Sequence, residues 1–220
     1  MNNTTKTSTR LAALAGLALT ASANAAVIVN PSFEVDDVAD GGFTNGLATG
    51  WDTVGTSTGT QDFTAGQVPQ PTDGEQHGVV SFQSTSLSQV TSHTISSGLT
   101  YTLTVDVGQV SNFSGSEATI FLFGGTTGIA TPLSNTNGTA EQAGVAPGSG
   151  AYLLNQTVTY TALASSDPFE GEQIGIGFYN SVGTQTLFDN VRLDIVAVPE
   201  PSSAALLGLG GFALILRRRK

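Results

Sequence analysis

Carboxylates are the chemistry this chain holds in quantity. All 17 acidic residues lie between Glu34 and Glu200, whereas the 7 basic residues are Lys6, Arg10, Arg192 and the run Arg217 to Lys220. Between residues 26 and 198 a single base, Arg192, faces sixteen acids, a formal charge of −15 on that stretch. A glycosidase needs two carboxylates across a cleft, one with a raised pKa. With so many acids some such pair is inevitable, so their presence assigns no role. Other reactive groups are scarce. There are two histidines, His77 and His93, without metal-ligand spacing, and no cysteine. That removes thiol nucleophiles, thiolate metal sites and disulfides together. No phosphate-binding loop, H-E-x-x-H helix or dinucleotide fingerprint is present. Nucleic acid is excluded as a partner, because neutralising phosphates takes Lys and Arg. These residues point away from an enzyme and towards a non-catalytic domain.

One carboxylate stands out by position. With period-2 spacing, Asp189 shares a strand face with Leu187, Val191, Leu193 and Ile195, and Arg192 falls on the opposite face. A carboxylate on a core face is costly unless it is paired, hydrogen-bonded or bound to metal. With the lone base pointing away, backbone N–H groups or a metal ion must satisfy it. Sugar binding would use aromatic faces beside amides and carboxylates. Trp51, Tyr101, Tyr152, Tyr160 and Tyr179 are the candidates. Of these, Tyr179 points away from the Ile174-Ile176-Phe178 face and Trp51 is the chain's one tryptophan.

The elements that position these groups are strands. Tyr101, Leu103, Val105 and Val107 alternate with Thr102, Thr104 and Asp106, and Ile174, Ile176 and Phe178 alternate with glycines and Tyr179. Further strands are expected over Val27 to Phe33, His77 to Gln83, Leu87 to Ile95, Thr119 to Phe123 and Tyr152 to Leu163, separated by Gly, Ser, Asn and Thr clusters. Thr126 to Gly150 reads as one extended polar loop. About eight to ten short strands in one domain indicate an all-β, two-sheet jelly-roll sandwich.

Both ends read as export signals. Lys6 and Arg10 precede the apolar run Leu11 to Leu19, and Ala23-Asn24-Ala25 is an A-x-A site, so residues 1–25 are expected to be a signal peptide helix removed by signal peptidase. Residues 26–198 form the sandwich domain. In residues 199–220, Pro199-Glu200-Pro201 stops the last strand, an uncharged stretch runs from Ser202 to Leu216, and Arg217-Arg218-Arg219-Lys220 closes the chain. As a helix that stretch reaches only ~22 Å, short of a ~30 Å hydrocarbon core. It is expected to cross the membrane with help from snorkelling arginines, leaving the cations in the cytoplasm.

The tail, from Val198-Pro199-Glu200-Pro201 through Ala204 to Leu216 and on to Lys220, resembles the PEP-CTERM sorting signal of Gram-negative bacteria. The resemblance implies processing by an exosortase, loss of the helix, and delivery to the cell surface or an exopolysaccharide matrix. In the domain, Asn30-Pro31-Ser32-Phe33-Glu34, Gly50-Trp51, Asp73-Gly74-Glu75-Gln76-His77, Leu87-Ser88-Gln89, Gly98 to Leu103 and Phe188-Asp189-Asn190-Val191-Arg192-Leu193 follow one another. In that order they resemble the jelly-roll carbohydrate-binding modules with a galactose-binding-like fold. That resemblance implies a structural Ca²⁺ on Glu34 and Asp189, completed by carbonyls, and exopolysaccharide as the ligand. A secreted carbohydrate-active enzyme on the same sandwich is the alternative.

The tail reading makes a mass prediction. Intact-mass measurement of the surface form will show it to lack Arg217 to Lys220; finding those residues on all surface material would overturn the sorting signal.

Overall fold

The computed structural model describes residues 23–25 and 28–198, apart from 56, 65–68, 84, 114, 126–130 and 164–165. The tail helix and all but the last residues of the leader helix lie outside the described residues, as do Pro199, Glu200, Pro201 and the four terminal cations. The described residues contain strands and no helix. In chain order the strands are β1 (Ala23–Ala25), β2 (Asp52–Val54), β3 (Thr58–Asp62), β4 (Gln76–Ser81), β5 (Ser86–Thr94), β6 (Leu99–Gln109), β7 (Glu117–Gly124), β8 (Ser134–Asn135), β9 (Gly138–Thr139), β10 (Glu141–Val145), β11 (Ala151–Thr161), β12 (Gln173–Val182) and β13 (Gln185–Ala197).

Two antiparallel sheets face each other. One runs β11-β6-β13-β4-β3, with β1 added on β13; the other runs β10-β7-β12-β5-β2. This is the expected two-sheet jelly-roll sandwich. The alternating apolar residues meet between the sheets: Tyr101, Leu103, Val105 and Val107 of β6 pack with Ile174, Ile176 and Phe178 of β12, all fully buried. An aromatic column runs through this core. Phe33 stacks on Trp51 with centroids 5.2 Å apart, Trp51 meets Phe178 at 5.4 Å, and Phe178 stacks on Phe188 at 4.6 Å. Trp51 is anchored by its indole N–H, which donates to the Asn30 carbonyl at 3.0 Å.

Four expectations change. Of the expected strand Val27 to Phe33, the described residues, 28–33, form no strand; from Val29 the chain bends and turns through Pro31, with Asn30 and Phe33 at φ of 51° and 62°. The Gln89 side chain holds that segment instead of a ladder, accepting from Val29 N at 2.8 Å and donating to Val29 O at 2.9 Å. Within Thr126 to Gly150, the Thr136-Asn137 turn closes the β8–β9 hairpin and β10 joins a sheet edge. β3 went unrecognised because Thr58-Gly59-Thr60-Gln61-Asp62 carries no apolar alternation.

The fourth change concerns Asp189. On β13 the register runs from Asp189 opposite Asp106 to Arg192 opposite Thr104, so β13 advances three residues where β6 advances two. That extra residue is a β-bulge, with Asn190 at φ 53°. It switches faces mid-strand. Phe188, Val191, Leu193 and Ile195 face the core, whereas Leu187 belongs to a smaller cluster with Phe63, Val79, Val110 and Tyr152 on the other side of the sheet. Asp189 therefore leaves the face of Val191, and Arg192 joins the face of Asp189.

Gly78 of β4 lets the Phe33 ring lie flat on the strand; a Cβ there would come within 2.4 Å of the ring. Gly78→Ala is expected to lose about 1–3 kcal/mol by overpacking, read as a lower urea midpoint with an unchanged slope.

Candidate functional site

The polar centre of the molecule lies on the outer side of the first sheet. Asp106 and Asp189 stand directly opposite each other on β6 and β13 and are both buried. β11 carries its own bulge beside them, between Leu153 and Gln156, with Asn155 at φ 53°. Two bulges thus flank Asp106, each turned by an asparagine, a residue that tolerates left-handed backbone. Asn155 N donates to Asp106 Oδ1 at 2.6 Å and Asn190 Nδ2 to Asp106 Oδ2 at 3.2 Å. Arg192 ties the bulges together, donating to Asn190 Oδ1 and, at 2.6 Å, to Asn155 Oδ1.

Above this pair runs the segment Thr72 to Gln76. Asp189 Oδ2 accepts from Thr72 N at 2.6 Å, Asp73 N at 2.9 Å and the Thr72 hydroxyl at 3.0 Å, while Oδ1 accepts from Asn190 N at 2.7 Å. The Thr72 hydroxyl is also 2.8 Å from Asp106 Oδ2. Its single proton serves one carboxylate at a time. Glu34 grips the other end of the segment: its Oε1 accepts from Glu75 N at 2.9 Å and Gln76 N at 2.7 Å. Between the grips, Gly74 has φ 82° and no room for a Cβ, which would meet the Glu34 carboxyl at 2.4 Å. Ser32 ties in from the side, donating to Asp73 Oδ2 at 2.6 Å.

Burial governs the electrostatics. It pushes the Asp189 carboxyl up to about 6 against the pull of its bonds from Asp73, Thr72 and Asn190. Tyr152, whose ring lies over Gly108 and whose hydroxyl has no partner, is raised well above the usual tyrosine range by burial and then by Asp189 and Asp106. His77 is fully buried with neither nitrogen bonded, its ring edge-on to Phe63 at 4.5 Å. Burial lowers it to about 3.

Beside the clamped segment opens an acidic cleft lined by Asp40, Asp62, Phe63, Gln70, Gly74 and Glu75. Asp62 is raised by burial first, then by Asp40, Glu75, Glu34 and Asp37. The clamp makes one wall of this cleft, through Gly74 and Glu75.

The sequence candidates fall as follows. Glu34 and Asp189 do come together, on one segment, but as acceptors of N–H and O–H donors. Among the described residues no group of three or more His, Asp or Glu could hold a metal; Glu34 and Asp189 act as the two grips on the Thr72 to Gln76 segment. Trp51 is 6% exposed, with Phe33 and Phe178 stacked against it. Tyr179 is half-buried on the outer face of the second sheet, its hydroxyl donating to Glu141 at 3.3 Å and its ring 5.7 Å from Phe121. Asp106, Thr72, Asn155 and the cleft acids were not singled out by sequence; Asp106 alternates with Thr102 and Thr104 as a solvent-facing residue would. A G-x-S-x-G run, Gly55 to Gly59, also went unnoticed. It links β2 to β3, not a strand to a helix as a nucleophile elbow requires.

The fold places the chain among jelly-roll sandwiches seen in cyclases and carbohydrate-binding modules. The chain belongs to the HpiC1-like family, described as HpiC1 cyclase, which it matches over residues 24–194. Residues 197–220 match the PEP-CTERM protein-sorting motif, which marks an exported surface protein with exosortase as its processing partner. Among solved structures it is similar to the Stig cyclase Fisc from Fischerella sp. TAU in complex with (3Z)-3-(1-methyl-2-pyrrolidinylidene)-3H-indole, at 21% identity and TM-score 0.65, over 80% of this chain and 99% of that one. It is also similar to a tandem CBM22-1–CBM22-2 from Paenibacillus barcinonensis Xyn10C, at 12% identity and TM-score 0.51, over 84% of this chain and 49% of that one. At these identities the likeness is one of fold. No curated protein matches the chain in sequence.

Two predictions follow from this geometry. Asp189→Ala strands the Thr72, Asp73 and Asn190 amides and is expected to cost about 3 kcal/mol, with hydrogen exchange quickened at Thr72 and Asp73 in particular. His77 confers stability that is complete above pH 6.5, the unfolded value, and is lost as the pH falls towards about 3. Its share of the slope is at most ~1.4 kcal/mol per pH unit; the His77→Phe variant will show a flatter urea-midpoint profile between pH 7 and 4.

Proposed function

We propose that this is an exported protein, carried out by an N-terminal secretory leader and sorted by an exosortase, whose sandwich is a non-catalytic module that binds matrix polysaccharide in the Asp40-Asp62-Glu75 cleft. The observation that supports this most is the use of the two buried carboxylates. Asp106 and Asp189 spend their oxygens holding backbone and side-chain donors in place, and the wall they hold presents fixed acceptors to the cleft. Carboxylates and the Gln70 amide suit sugar hydroxyls. The acidity of the cleft turns away anionic polymers and suits neutral or cationic sugars.

A second reading has its own support. The family is described as a cyclase, and Asp62 is a carboxyl raised by burial inside a cleft, the profile of a general acid. Binding to extracted exopolysaccharide and product release, measured on wild type and Asp62→Asn, separate the two. The binding module predicts no turnover and a loss of about tenfold in affinity, ~1.4 kcal/mol, for the variant. Turnover that disappears in Asp62→Asn while binding survives would establish the enzyme instead.

A further inference from the structure

Export requires the leader to be cut, and the sequence offers two frames for it. Signal peptidase takes small residues three before and one before the cut. Ala23-Asn24-Ala25 meets that rule, and so does Ala21-Ser22-Ala23. The frames differ by two residues, Asn24 and Ala25, and the fold uses both.

β1 pairs antiparallel with β13: Ala23 lies opposite Val196, Asn24 opposite Ile195 and Ala25 opposite Asp194. The other side of the same stretch is already taken by β6, where Asp194 faces Thr102, Ile195 faces Tyr101 and Val196 faces Thr100. β1 therefore converts the end of β13 from an edge into an interior strand. This is also the stretch that leads directly into the sorting motif at Pro199. A cut after Ala25 would strip the whole of β1 and leave Asp194 to Val196 with an open row of backbone donors and acceptors, a template for pairing with other chains. A cut after Ala23 keeps two of the three strand residues.

Resting on the export reading above, we propose that signal peptidase cleaves between Ala23 and Asn24, so that the mature protein begins Asn24-Ala25-Ala26 and keeps its first strand beside the sorting motif. The step is a hydrolysis. The C–N bond between Ala23 and Asn24 breaks, the hydroxyl of water goes to the Ala23 carbonyl carbon, and its proton goes to the Asn24 nitrogen. The new amino terminus lies on the sheet, one residue from the partner of Asp194.

The test is N-terminal sequencing and intact mass of the full-length protein after export. A start at Asn24 is expected, and a start at Ala26 would overturn the proposal while leaving export intact. A start at Met1 on exported material would overturn the leader itself, and this proposal with it. Two variants sharpen the choice. Ala21→Glu disables only the first frame and is expected to stop or displace cleavage, whereas Ala25→Glu disables only the second and is expected to leave the Asn24 terminus unchanged. The opposite pattern would place the cut after Ala25.

Discussion

Two carboxylates placed opposite each other in the middle of a sheet are an electrostatic burden that the surrounding chain must answer. Asp106 and Asp189 sit in register on neighbouring strands, out of contact with water. The one base of the domain, Arg192, gives its guanidinium to Asn190 and Asn155. Donors must come from elsewhere, and each nearby irregularity supplies at least one. The β11 bulge presents Asn155 N, the β13 bulge presents Asn190 N and Nδ2, and the crossing segment presents Thr72 N, Asp73 N and the Thr72 hydroxyl. Arg192 acts at one remove by bracing the two asparagines. An unmet buried donor or acceptor costs about 1–3 kcal/mol, so these pieces stand or fall together.

The cleft is a consequence of that arrangement. The segment from Thr72 to Gln76 has little apolar surface of its own to hold it down. Asp189 fixes its start, Glu34 fixes its end, and the Gly74 turn fits only because no side chain stands there. Once fixed, it carries Glu75 to the side of Asp62 and Asp40. Burial first, and then the clustered like charges, raise Asp62 above its usual range, and a ligand with hydroxyls or a cation would relieve that repulsion.

The long strands were legible because their apolar residues alternate without interruption: Tyr101 to Val107 and Ile174 to Phe178 lie where the pattern puts them. Asp189 was legible as an oddity but was given the wrong face, because a period of two cannot register a bulge, and Asn190 carries no mark of one in sequence. The clamp was half visible. Glu34 and Asp189 were singled out as calcium ligands through a family resemblance, and both close on the Thr72 to Gln76 segment. The segment between them was marked only as a motif, Asp73-Gly74-Glu75-Gln76-His77, and its backbone N–H groups, which do the work, have no side-chain signature to read. Asp106 was hidden by its own alternation with threonines. The cleft acids were hidden by number, since sixteen carboxylates in a domain do not announce which three converge.

Membership of a cyclase family and a tail of the PEP-CTERM type pull the functional reading in two directions, and the clamp is where they can be told apart. Glu34 grips the cleft wall from behind but does not line the cleft, so it tests preorganisation without touching a ligand. The direct measurement is titration calorimetry of exopolysaccharide fragments into the wild-type domain and into Glu34→Ala, which removes the acceptor for Glu75 N and Gln76 N, with folding checked by circular dichroism. If the clamped wall is the binding surface, the variant stays folded and binds several-fold more weakly. Affinity unchanged in folded Glu34→Ala, or no heat with the wild type, would contradict the account.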